Sequence, residues 1–120
     1  MTVFESLLVA HVVGDWLLQT EWQALNKASN WRALLTHLLV YHVVVLIALG
    51  IKLGFGQPLI YPVVVVLAVC HGILDRSGFI KWLMRTLRIT VRRAPERWLS
   101  IAVDQSVHFV LLAAAAVILP

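Results

Sequence analysis

All five histidines and all three aspartates of the chain lie inside otherwise apolar stretches. Six of these eight residues form pairs four apart: His11/Asp15, His71/Asp75 and Asp104/His108. On a helix that spacing sets both side chains on one face. Imidazole and carboxylate are costly among lipid tails, so a set of them within apolar segments marks a functional site. Neutral imidazole with carboxylate suits Zn²⁺, Mn²⁺ or Fe²⁺. With His37 the set comprises seven candidate metal ligands: His11, Asp15, His37, His71, Asp75, Asp104 and His108. That exceeds the four ligands of one tetrahedral ion. Two ions, or one ion backed by carboxylate–histidine hydrogen bonds, would use the surplus. The expected cofactor is a divalent metal, zinc first on ligand type, with manganese or iron as alternatives. A proton or ion pathway draws on the same groups and stays open. His42 follows His37 by five residues, about 140° around a helix, and is left out of the set.

The elements that must position these residues follow from composition. The chain is 61% hydrophobic with a mean hydropathy of +0.88, above the ~45–50% apolar content of a soluble domain. Four apolar segments, about 3–19, 33–53, 59–75 and 99–119, approach the ~17–25 residues that span a bilayer as a helix. The expected fold is all-α: one integral membrane domain over 1–120, built as a four-transmembrane-helix bundle. Between the third and fourth spans, Lys81, Arg85, Arg88 and Arg92 repeat at helical spacing opposite Ile80, Leu83, Met84, Leu87 and Val91. This reads as a basic amphipathic interfacial helix over about 79–92, suited to anionic lipid head groups or to topological anchoring alone. The lone cysteine, Cys70, excludes a disulfide framework or a CxxC zinc site. The N-terminus lacks the basic region of a secretory signal peptide, so none is expected.

Charge placement sets an expected orientation. The first and third linkers hold nine of the ten Lys and Arg residues, and the opposite side holds only Lys52. The positive-inside rule then places both linkers in the cytoplasm and both termini outside it. Trp16, Trp22, Trp31, Trp82 and Trp98 fall near the cytoplasmic ends of the spans, as amphipathic rings prefer. With this orientation all four spans bring their His and Asp residues to one depth, the carboxylates nearer the cytoplasm and the imidazoles one turn deeper. Gly14 and Gly72 sit within their pairs and allow close helix approach. Lys27, near the mouth, reads either as a contact for an anionic substrate or as a solvated topology charge.

The run Ala10-His11 through Gly14-Asp15-Trp16-Leu17-Leu18-Gln19-Thr20, with Trp22 and Lys27, resembles the N-terminal signature of the bacterial membrane family numbered domain of unknown function 3307. That family's pattern continues with a histidine early in the next helix, a His-x-x-x-Asp segment and an Asp-Gln-x-x-His segment. These are similar to His37, His71/Asp75 and Asp104-Gln105/His108 here. Members commonly carry a Lys or Arg after the third motif, for which Arg76 and Lys81 are the candidates. The resemblance covers nearly the whole chain and implies a location in the bacterial inner membrane, but no activity. More loosely, the chain is similar to membrane-bound metal-dependent hydrolases with His and His-x-x-x-Asp motifs on transmembrane helices, an analogy rather than a statement of reaction.

These readings lead to an expected metal-dependent hydrolase of a membrane-associated substrate, such as a lipid phosphate or other ester. Zinc would activate water, and Asp15, Asp75 or Asp104 would complete coordination or act as catalytic base. The competing expectations are a metal-ion or proton transporter and a small accessory subunit of a membrane complex. Beyond His42, Lys52 and Glu5 the outer half offers almost no polar route, which counts against transport. The expected partners are the bilayer and its anionic head groups, with a homo-oligomer or larger membrane complex, and no nucleic acid.

Overall fold

Helix starts in this chain are written in local capping chemistry. The Thr2 side chain accepts from the Glu5 amide at 3.1 Å, and Glu5 accepts in return from the Thr2 amide at 2.6 Å. This capping box opens α1 (Val3–Val12). Thr20 and Gln23 repeat the motif to open α2 (Glu21–Asn26). Asn30 accepts from the amides of Arg32 and Ala33 and so starts α3 (Trp31–Leu53). Gly54, at φ +85°, ends α3 in the left-handed region that favours glycine. After the Pro58 turn come α4 (Ile60–Arg76), α5 (Phe79–Thr86) and α6 (Glu96–Ile118). The computed structural model describes residues 1–76, 78–87 and 96–120, and every regular element among them is helical.

The expected second and fourth spans are α3 and α6, each long and apolar enough to cross a membrane. The other two depart from simple rods. The first segment leaves α-geometry after Val12, passes through a π-helical turn over Val13–Leu17 and stops at Leu18. The third forms the 17-residue α4, at the short end of spanning length, followed by α5, bent from it by 72°. Among the described residues, two helices are long and apolar enough to cross, or three if the bent pair counts as one span. The expected interfacial helix begins as α5; its continuation, with Arg88 and Arg92, and Ser77 before it lie outside the described residues.

Among the described residues, α1, α3, α4 and α6 pack in a ring: α1 on α3, α3 on α4, α4 on α6 and α6 back on α1. One half of the interior is apolar, with Leu7, Val45, Leu49, Ile60, Leu67 and Leu112 buried together. The other half holds the buried polar residues. Outward faces carry exposed Leu39, Ile47, Val65, Val66, Val110 and Val117. An exterior this apolar around a polar interior suits a bilayer rather than water. All five tryptophans are exposed and gather at the polar end.

Candidate metal centre

The C-terminal ends of α1 and α4 and the first halves of α3 and α6 meet at the polar end of the ring. That convergence requires neighbouring helices to run in opposite directions. His11, Asp15, His37, His71, Asp75 and His108 are all buried, His11 and His37 almost completely. Asp104 keeps a partly exposed carboxylate.

His37 makes the contacts that join the helices. His37 Nε2 from α3 lies 3.2 Å from Asp15 Oδ1, 3.4 Å from Asp75 Oδ2 and 3.4 Å from His71 Nε2. His71 Nε2 lies 3.2 Å from Asp75 Oδ2. A tetrahedral ion with bonds of ~2.0–2.1 Å sets its ligands about 3.3–3.4 Å apart. The triangle of His37 Nε2, His71 Nε2 and Asp75 Oδ2, with edges of 3.2 to 3.4 Å, has the dimensions of one face of that tetrahedron. Among the described residues, two sets of ligand atoms lie close enough together to hold an ion: Asp15/His37/His71 and His71/Asp75/His108.

The tautomer of His108 is fixed in a manner that favours a ligand. Its Nδ1–H donates to the Asp104 backbone carbonyl at 2.8 Å, so the neutral ring presents the Nε2 lone pair. That Nε2 is buried without a hydrogen-bond partner and lies 4.0 Å from Asp75 Oδ1. Asp15 Oδ1 and Asp75 Oδ2 are likewise buried and meet only ion-pair distances. The two carboxylates already have the Lys27 ammonium beside them; the buried His108 Nε2 is the acceptor left without a partner, which is costly unless a cation joins it.

Of the seven expected ligands, five fall within the two sets and two lie beside them. His11 has both ring nitrogens occupied. Its Nε2–H donates to Gln105 Oε1 at 2.7 Å, and its Nδ1 accepts from the Tyr41 hydroxyl at 2.8 Å. Gln105 organises this side: its Oε1 also accepts from Trp16 Nε1, and its amide nitrogen donates to Asp15 Oδ2 at 3.0 Å and Asp104 Oδ2 at 3.1 Å. Asp104 thereby faces the mouth, outside both sets. His42 donates from Nδ1 to the Leu38 carbonyl at 2.8 Å and pairs with no carboxylate among the described residues.

Lys27 corrects the reading of a solvated charge. Its Nζ lies 3.1 Å from Asp75 Oδ2 and 3.8 Å from Asp15 Oδ1, with the side chain only 17% exposed. The short helix α2, held by its capping box, carries this ammonium over the cluster. Tyr41 was missed, although it stands four after His37 on the same face, a signal as direct as the His/Asp spacing. Two cavities of about 530 and 350 Å³ open onto the cluster. They share Lys27, Ser100 and Asp104; the first reaches Asp15 and Arg97, the second Asp75, Arg76 and Lys81.

A family model described as a protein of unknown function (DUF3307) matches residues 3–119. No curated protein and no solved structure matches the chain.

Proposed function

The chain belongs to the DUF3307 family, so its activity must be argued from its own side chains, and we propose that it is an integral membrane protein holding a divalent metal ion, zinc first, beneath the cytoplasmic surface of the bacterial inner membrane. The observation that carries this reading is the convergence of His37, His71 and Asp75 at tetrahedral spacing, with the unpartnered His108 Nε2 beside them. Five residues form the ligand set: Asp15, His37, His71, Asp75 and His108. His11 and Gln105 hold Asp15 and the Tyr41 face of α3 in place rather than binding the ion.

The reaction best suited to this geometry is hydrolysis of a membrane-associated substrate. A bound divalent ion would supply Lewis-acid activation of water and of an ester oxygen. Asp104 lines both cavities and is free of the ligand sets. We assign it the proton-accepting role, with Gln105 orienting its carboxylate. Lys27 and Arg97 place positive charge at the mouth for an anionic substrate. Transport is disfavoured by the apolar half of the interior, where Leu7, Val45, Leu49 and Leu112 leave no polar route across.

Elemental analysis of the purified protein tests the first claim. One or two equivalents of transition metal are expected, lost in His71→Ala and Asp75→Asn; absence of metal after purification without chelators, with none taken up on titration, overturns it. Ester and phosphate-ester turnover by intact but not metal-stripped protein tests the second. Full metal content with no turnover across such a panel leaves a structural metal and removes the hydrolase.

A further inference from the structure

A second, apolar groove of about 790 Å³ runs along the outer face between α3 and α4. Its walls include Leu35, Leu39, Val65 and Val69, all more than half exposed, and at its polar end stand Trp31 and Arg76. The volume lies within the ~300–1,000 Å³ of ligand pockets. The Arg76 guanidinium stacks over the Trp31 ring at 4.2 Å. A cation–π contact of this kind uses none of the guanidinium N–H donors. Yet Arg76 Nη1 is buried without a hydrogen-bond partner, and no ion pair to Arg76 occurs among the described residues. A guanidinium stays charged under all ordinary conditions and pairs two-pronged with phosphate. Arg76 also lines the polar cavity that holds Asp75, Lys27 and Lys81, so the groove and the cavity beside the candidate metal centre share this residue.

We propose that this groove seats the acyl chain of an anionic phospholipid of the cytoplasmic leaflet, with Arg76 gripping its phosphate at the entrance to the metal centre. Charge complementarity selects the occupant: the groove ends in an unsatisfied cation, which suits a tail with a phosphate head and suits neither a lipid without phosphate nor an apolar face of a second copy. Membrane-embedded phosphate amphiphiles thereby become the substrate class of the proposed hydrolase. The inference rests on that reading for the substrate role alone, because binding is measured without turnover.

The test uses the full chain in nanodiscs of neutral phosphatidylcholine containing a small fraction of phosphatidic acid with a photoreactive acyl chain. Peptide mapping should place labels on α3 and α4 along the groove. Relative to an equally labelled diacylglycerol, which has no phosphate, groove labelling should be favoured about tenfold, the size of one charge-assisted bidentate contact. The outer face of α6, at Val110 and Val117, should show no such preference and so controls for general attraction to basic segments. Arg76→Gln should bring the groove ratio to near unity, and Arg76→Lys should retain only part of it. Equal labelling by the two lipids in the wild type overturns the proposal, as does a preference that survives Arg76→Gln, or crosslinking of this face to a second copy. Metal content measured on the same samples keeps the two readings apart: metal without groove preference removes only the lipid site, and groove preference without metal removes only the metal centre. Should Arg76→Gln fail to fold, the wild-type comparison and Arg76→Lys still decide.

Discussion

Lys27 occupies a position a metal ion would also serve, since its ammonium bridges the Asp15 and Asp75 carboxylates. A monocation there relieves the repulsion of two buried carboxylates, and it also competes with any divalent ion for their charge. Lys27→Gln removes the competitor and retains a polar side chain at the end of α2. We expect divalent-ion affinity to rise about tenfold, equivalent to ~1.4 kcal/mol, measured by competition with a chromophoric chelator. Lys27→Arg should stay near wild type. A fall in affinity on Lys27→Gln would make Lys27 a positioning residue that holds the carboxylates for the metal. Gln105 works at the same scale from the other side, because one amide satisfies His11, Trp16, Asp15 and Asp104 together. Gln105→Leu strands the buried His11 N–H and withdraws a donor from Asp15. A loss of about 1–3 kcal/mol is expected, read as a lower thermal midpoint in detergent; an unchanged midpoint would show that the network carries no stability.

At the scale of elements, the π-helical turn does what a regular helix would not. Within α1 and its extension, His11 Nε2 stays 4.0 Å from Asp15 Oδ2, whereas Asp15 Oδ1 reaches His37 at 3.2 Å on α3. Widened turns of this type recur at functional sites. Gly14, inside the turn, brings α1 and α3 together: a Cβ there would stand 2.8 Å from Tyr41 Cδ2 and 3.2 Å from Tyr41 Cα. Gly14→Ala must displace the backbone of α3 at Tyr41, so we expect a loss of about 1–3 kcal/mol and weaker metal retention, both readable by melting in the presence and absence of added metal. Gly72→Ala meets only the flexible end of Leu38 at 3.1 Å and should cost less. These details also explain how far the chain could be read in advance. The i, i+4 spacing identified the faces on which His71, Asp75, Asp104 and His108 lie, because helical periodicity is a local property. It identified one close pair, His71/Asp75 at 3.2 Å, but not the partners of the other two: His108 bonds the backbone carbonyl of Asp104, and Asp15 reaches His37 on α3. Partners depend on helix rotation and depth, which sequence spacing does not encode. The apolar lengths of α3 and α6 were legible for the same local reason, whereas the stop at Leu18 and the bend after α4 depend on tertiary contacts.

On the scale of the whole molecule, the exterior is apolar, the tryptophans are exposed, and the interior is apolar in one half and polar in the other. The longest dimension is 49 Å, comparable with the ~40–45 Å of a bilayer including its head groups. If the polar end faces the cytoplasm, Lys27, Arg32, Arg76, Lys81, Arg85 and Arg97 all meet the anionic leaflet, and the metal centre draws its ion from the cytoplasmic pool. The opposite orientation would place this cationic end outside and leave only Lys52 within. A topology experiment therefore tests more than labelling of termini: it decides from which side the proposed metal centre would be supplied. Enzymatic reporters that are active only outside the cytoplasm should be active when fused after residue 120 and inactive when inserted in the 21–30 linker, where α2 carries Lys27. A membrane-impermeant chelator added to sealed right-side-out vesicles should leave the metal in place and should strip it from inverted vesicles. Activity of the linker fusion, or metal loss from right-side-out vesicles, would reverse the orientation and with it the leaflet from which the α3/α4 groove takes its lipid.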